Sequence, residues 1–124
     1  MKTIAKTTIL LLAAALAGCG AKDAEISYAA NVQPILKEFC LECHSEGGPG
    51  YEKSGLLMTS HAALMKGTKF GPIIEPGNSI SSTLVRLIEG RADPSLKMPH
   101  GDKSLSQAQI DTIKRWIDQG AKNN

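Results

Sequence analysis

The chain has 124 residues, with 14 Lys and Arg against 12 Asp and Glu, so its formal net charge is +2 at pH 7. We expect one small domain from this length, and so small a basic excess gives little support for nucleic-acid binding. Two Phe, two Tyr and one Trp are few large side chains for the core of a small domain, which indicates that a cofactor completes the core.

The first 18 residues have the features of an export signal. Lys2 and Lys6 form a positive n-region, residues 9–17 form an apolar run too short to span a bilayer, and small residues follow. The stretch Leu16–Cys19 resembles the lipobox of bacterial lipoproteins, in which the cysteine receives a diacylglyceryl group and becomes the first residue after cleavage. The sequence therefore predicts a lipoprotein signal peptide over 1–18.

Lipidation of Cys19 would anchor the mature chain to a membrane. The alternative is an ordinary secretory signal with an incidental cysteine, but an unpaired thiol is a liability in an oxidising compartment. Gly20 rather than an aspartate follows Cys19, which resembles lipoproteins sent on to the outer membrane rather than kept at the inner one. We therefore expect an exported protein, held by a polar tether over 19–30 to a lipid bilayer that faces the periplasm or the cell exterior.

Four helical stretches separated by Gly- and Pro-rich loops are predicted after the tether, with no convincing strand pair. The first follows Asn31, a good N-cap, because apolar residues and cysteines recur at spacings of three and four over 32–43. The stretch 45–50 is expected to be an open loop. The domain is predicted to span 31–121, with a short tail over 122–124.

The other three helices carry clear start and stop signals. Ser60–Lys66 and Ser79–Glu89 are predicted to be short helices, each followed by a glycine that ends it. Ser106 and Gln109 match a capping box at the start of the last helix, and Gly120 ends it. The sequence therefore predicts an all-α domain.

Cys40, Cys43 and His44 form a Cys-x-x-Cys-His motif near the end of the first predicted helix. On a helix these side chains converge on a common patch. The two thiols can add across the two vinyl groups of a porphyrin, while the histidine turns its imidazole towards iron, and this motif is the attachment signal for c-type haem. Attachment takes place outside the cytoplasm, where the leader directs the chain. The sequence therefore predicts one covalently attached haem c.

Three other interpretations of the motif are less well supported. A zinc site could join Cys40 and Cys43 to His61 or His100, but the chain lacks a second ligand pair at close spacing. A thioredoxin-like dithiol would open a helix beside a βαβ unit, whereas this motif closes a helix in a chain without predicted strands. Two buried thiols beside an incidental histidine would make the spacing a coincidence.

The chain resembles the class I c-type cytochromes, and in particular the small cytochrome c domains of planctomycete and other bacterial exported proteins. The resemblance covers nearly all of residues 31–121 and runs through the stretches NVQPILKEFCLECH, GLLMTSHAALMKG, FGPIIEPGNSISSTLVRLIEG, KMPHGDKSLS and IDTIKRWIDQGA. It implies a cytochrome c-like fold in which the N- and C-terminal helices pack against each other around the covalently attached haem. The region 45–78 is longer than in the smallest members of the class.

The sixth iron ligand must come from far along the chain, and the candidates are Met58, Met65, Met98, His61 and His100. Met98 is favoured because it lies in an irregular loop before the last helix, where similar cytochromes supply a methionine. His100 is its main rival. Pro72 resembles the proline whose carbonyl accepts the N–H of the proximal imidazole in related cytochromes, although Pro76 lies close by.

Two classes of function follow from the coordination of the iron. If His44 and Met98 both bind it, no position is open to a small-molecule substrate, and the protein is an electron carrier between extracytoplasmic redox partners rather than an enzyme. An open distal side would suit a small peroxidase or a gas-binding protein, but no distal Arg/His pair is recognisable. A module with a purely structural haem is a third possibility.

Overall fold

A computed structural model of the chain describes residues 23–124. The elements in this range, in chain order, are a π-helical turn (Tyr28–Val32), α1 (Gln33–Phe39), α2 (Pro49–Ser54), α3 (His61–Lys66), α4 (Thr83–Ile88), a 3₁₀ turn (Pro94–Leu96) and α5 (Gln107–Asp118). These residues form no β-strand, and an isolated bridge between Thr68 and Gly71 closes a turn. The fold is all-α, as the sequence predicts. The predicted signal peptide and the lipidation at Cys19 lie outside the described residues.

The first helical segment begins earlier than the sequence predicts. The Ser27 side chain caps it by accepting from the amide of Ala30. Asn31, predicted as the N-cap, lies inside the π-helical turn, and its side chain accepts from the Ser27 amide at 2.9 Å. Tyr28 and Val32 of this turn are buried. The folded unit therefore starts before residue 31.

The described part of the predicted tether is packed rather than extended. The Ile26 amide donates to the side chain of Gln119 at 2.7 Å, and the Tyr28 amide donates to the side chain of Asn124 at 2.8 Å. An ion pair of 2.7 Å joins Glu25 to Lys122. The predicted tail over 122–124 is therefore part of the fold, because it fastens the N-terminal arm, residues 24–27, to the end of α5.

The start and stop signals of α3 and α5 are confirmed. The Ser60 hydroxyl accepts from the Ala63 amide at the start of α3, and α5 begins with the Ser106–Gln109 capping box. Gly67 ends α3 with φ +80°, where a Cβ would lie 2.5 Å from the Gly71 carbonyl oxygen, so glycine alone fits. In contrast, α4 is shorter than the predicted Ser79–Glu89.

The sequence predicts an open loop over 45–50 and no helix after it, whereas the structure has helix α2 over Pro49–Ser54. Pro49 occupies its first turn and Gly55 ends it in the left-handed conformation, φ +72°. Proline at the start and glycine after the end are a recognised helix signature. The six-residue length left too few positions for a periodic apolar pattern.

The core is built from apolar side chains of the π-helical turn, of α1, α3, α4 and α5, and of the loops between them. Its most deeply buried large members are Leu36, Leu64, Ile113, Trp116 and Ile117. Helix α5 contacts the π-helical turn and α4, and the rings of Tyr28 and Trp116 lie 5.6 Å apart. The first and last helical segments therefore pack together as the resemblance implies, mainly through the π-helical turn. No helix within residues 23–124 is long and apolar enough to cross a membrane.

Candidate functional site

A cavity of about 510 Å³ collects most of the residues that the sequence singles out. Its lining comes from the end of α1, from α2, from α4 and from the loops on either side of α4. Pockets for small ligands measure roughly 300–1,000 Å³. The predicted site residues that line it are Cys40, Cys43, His44, Pro72, Met98 and His100. Its walls are mainly apolar, with Phe39, Leu56, Met58, Ile73, Leu84, Leu87 and Ile88.

The Cys-x-x-Cys-His motif forms one further turn of chain after α1. Cys40 is the C-cap of α1, and its carbonyl accepts from the amides of Cys43 at 3.2 Å and His44 at 2.9 Å. Both cysteines are free thiols. Burial, with the neighbouring Cys43 as a second cause, raises the pKa of Cys40 to about 11. A redox-active dithiol needs a lowered thiol pKa, so the environment of Cys40 does not favour that use.

His44 is buried and held in one orientation by a backbone carbonyl. Its Nδ1 lies 3.3 Å from the Leu56 carbonyl oxygen. Since a carbonyl can only accept, Nδ1 carries the proton and the lone pair of Nε2 is available to a metal. Burial lowers the pKa of His44, the Leu56 carbonyl opposes this, and His100 lowers it further. This shift favours the neutral imidazole, the form that coordination requires.

The Leu56 carbonyl, and not that of Pro72, is the hydrogen-bond partner of the His44 imidazole in this structure. The chain after α2 folds back along the motif, so that the Met58 amide donates to the His44 carbonyl at 2.9 Å and the Leu56 carbonyl lies beside the ring. Pro72 lines the same cavity. The hydrogen bond of Nδ1 goes to Leu56 because helix α2, which the sequence does not predict, brings Leu56 to His44.

Gly50 of α2 lies directly against the imidazole. A Cβ at this position would lie 2.7 Å from Cε1 of His44 and 2.8 Å from the Cys43 carbonyl oxygen. No side chain fits at such distances, so the backbone of α2 supports the ring of His44 at van der Waals contact. The sequence does not single out Gly50, since one glycine in a Gly-rich stretch carries no specific signal.

Of the five candidates for a sixth ligand, three line the cavity and two lie elsewhere in the fold. Met58, Met98 and His100 line the cavity. His61 instead places its Nε2 2.7 Å from the Ala121 carbonyl oxygen, and its ring contacts those of Tyr28 and Trp116. Met65 packs against the core. Among residues 23–124 no three His, Cys, Asp or Glu side chains are grouped to hold a metal ion, so His61 does not complete a zinc site with the cysteine pair.

Met98 and Met58 reach the cavity from different parts of the chain. Met58 lies beside the backbone of His44, because its amide donates a hydrogen bond to the His44 carbonyl. Met98 lies in the loop after α4, where its amide donates to the Leu87 carbonyl at 3.1 Å. Met98 is half-buried and His100 is exposed. Met98 is thus the candidate that is both remote from the motif and partly shielded from solvent.

Comparison with known proteins identifies a family that matches the segment containing these residues. A family model described as planctomycete cytochrome C matches residues 40–102. The matched segment begins at Cys40 and includes Met98 and His100. No curated protein and no solved structure gives a significant match. Because the family match spans half of the chain and contains the whole motif, the chain belongs to the planctomycete cytochrome c family.

Proposed function

We propose that the protein is a monohaem c-type cytochrome that carries single electrons between redox partners outside the cytoplasm. The observation that carries the proposal is the shared apolar cavity, which brings the thiols of Cys40 and Cys43, the imidazole of His44 and the side chain of Met98 together. The cytochrome c family implies a covalently bound haem. The residues present fit that group, since they offer two free thiols, one neutral imidazole and apolar walls.

Each residue of the site has a distinct task in this proposal. Cys40 and Cys43 would hold the haem by thioethers, each formed when an S–H adds across a vinyl group, which needs no oxidant and releases no product. His44 and Met98 would bind the iron. When bound, the haem supplies a one-electron iron couple. The Leu56 carbonyl fixes the proton on Nδ1 of His44, which keeps the ring oriented and raises its basicity.

The lining of the cavity would favour the reduced state. Apolar walls exclude water and so disfavour the more highly charged ferric iron, and a thioether ligand acts in the same direction. With His44 and Met98 both bound to the iron, the site would exchange electrons but not bind substrate. The peroxidase or gas-binding alternative needs an iron that is open to a small molecule.

Redox titration and carbon monoxide binding separate the carrier from the small-enzyme alternative. We expect a reversible one-electron reduction and poor carbon monoxide binding by the ferrous protein. Met98→Ala should lower the potential and increase carbon monoxide binding, while the haem stays attached through Cys40 and Cys43. Met65→Leu, in a side chain outside the cavity, is the matched control. Rapid carbon monoxide binding and peroxide turnover by the wild type would contradict the proposal, and an effect of His100→Ala but not of Met98→Ala would reassign the ligand.

A further inference from the structure

The loop that carries Met98 leaves and re-enters the fold at the same end of α4. The Arg91 amide donates to the Arg86 carbonyl at 2.8 Å, and the Met98 amide donates to the Leu87 carbonyl at 3.1 Å. Residues 93–97 between these two bonds are exposed. Because these exposed residues add little packing, the position of Met98 depends on its own contact with the core and on how the end of α4 is held.

Glu89 joins three parts of the chain at this point. It is the C-cap of α4, and its carboxylate accepts from Nζ of Lys114 in α5 at 2.7 Å and from Nε of Arg91 at the start of the loop. Its side chain is 18% exposed. Among the described residues, the other two ion pairs, Glu25–Lys122 and Glu42–Lys103, each join one acid to one base on the open surface. A partly buried carboxylate with two cationic donors restrains its neighbours more strongly than such single pairs.

A second cavity shows why this restraint matters for Met98. It measures about 390 Å³, and its lining includes Glu89, Arg91, Lys97 and Met98 together with Ile110 of α5. Part of the loop is thus separated from α5 by a cleft. Helices α4 and α5 contact each other independently of these ion pairs, and both contribute buried apolar side chains to the core, among them Val85, Ile88 and Ile113. The ion-pair cluster is therefore placed to fix the start of the loop as well as to join the two helices.

We propose that Glu89 is a positioning residue that, through Lys114 and Arg91, holds the Met98 loop in the arrangement in which the thioether can bind iron. This inference rests on the proposed ligation by His44 and Met98. Loosening of the loop would let the sulfur leave the iron part of the time. The site would then show a lower potential and greater access for an external ligand.

The test compares Glu89→Gln and Lys114→Gln in the haem-loaded protein, with Glu25→Gln as a control in a remote ion pair. The two variants have opposite electrostatic effects, because loss of a negative charge raises a haem potential and loss of a positive charge lowers it. Positioning predicts that both variants lower the potential, weaken the absorption signature of the iron–thioether bond and increase carbon monoxide binding. Loss of an ion pair worth up to about 1 kcal/mol corresponds to an increase in carbon monoxide affinity of up to roughly fivefold. Lys114→Arg, which keeps the charge, should behave as wild type.

Two outcomes overturn the proposal in distinguishable ways. If Glu89→Gln raises the potential, Lys114→Gln lowers it and carbon monoxide binding stays unchanged in both, Glu89 acts through its charge alone. That result contradicts positioning and leaves the ligation by Met98 intact. If Met98→Ala itself leaves the potential and the absorption signature unchanged, the ligand assignment fails, and the role of Glu89 fails with it.

Discussion

Gly50 and His44 show at the scale of single residues how the site is supported. Alanine at position 50 would gain roughly 1 kcal/mol in helix propensity. However, its Cβ would lie 2.7 Å from Cε1 of His44 and 2.8 Å from the Cys43 carbonyl oxygen, and neither atom belongs to a flexible side-chain end. Overpacking of this kind costs about 1–3 kcal/mol, so the clash outweighs the gain.

Gly50→Ala is therefore expected to destabilise the protein and to disturb the orientation of His44. Denaturant unfolding of the haem-loaded protein measures the first effect, and the visible spectrum and reduction potential report the second. Glu52→Ala, at an exposed position of the same helix, is the control. If Gly50→Ala is as stable as wild type with an unchanged potential, α2 does not support the imidazole.

The residues of the site differ in how far the sequence could predict them. Cys40, Cys43 and His44 carry a fixed spacing, and Met98 stands before a loop proline, so their side chains alone indicate a common site. The structure brings these four to one cavity. The Leu56 carbonyl could not be predicted, because any residue offers a backbone carbonyl and only the fold decides which one faces His44.

The helices show the same division between local and long-range information. The capping box of α5 and the glycine after α3 are signals within one turn of chain, and both are confirmed. The polarity of the arm over 24–27 predicts a tether. In the structure, residues that follow α5 hold this arm in place, namely Gln119, Lys122 and Asn124. Those partners lie more than ninety positions away along the chain, beyond the reach of local patterns.

The ion pairs of Glu89 at the end of helix α4 predict how the stability of the protein changes at low pH. Hydrogen bonds from Lys114 and then Arg91 hold the pKa of the Glu89 carboxyl below its ordinary value of 4.5. A lowered folded-state pKa means that this contribution to stability is complete above about pH 4.5 and is lost as the pH falls through the lowered value. Glu89→Gln removes the titrating group. The wild type should therefore lose more stability than the variant between pH 7 and pH 3, as measured by denaturant unfolding; equal losses would contradict the assignment.

The whole molecule is proposed to sit close to a membrane. Because the described arm is fastened from residue 24 onwards, the linker from Cys19 to that point spans at most roughly 18 Å. A short linker would keep the haem near the bilayer and restrict the partners that can reach it. Each buried acyl methylene contributes about 0.8 kcal/mol, so a multiply acylated Cys19 would hold essentially permanently.

Fractionation of a Cys19→Ser variant tests this anchor. The wild type should sediment with membranes and require detergent for release, whereas the variant should be released without detergent. The haem content of the two should be equal, since the substitution leaves Cys40 and Cys43 untouched. If the variant remains as firmly bound as the wild type, another part of the chain provides the attachment and Cys19 is not the anchor.

The covalent link between haem and chain is the central claim, and the mass of the denatured protein tests it most directly. After acid extraction and unfolding, the chain should retain the mass of one haem, because thioethers survive denaturation. Cys40→Ala combined with Cys43→Ala should yield a chain without attached haem. A wild-type chain that is expressed with haem available but loses it completely on acid extraction would contradict the account.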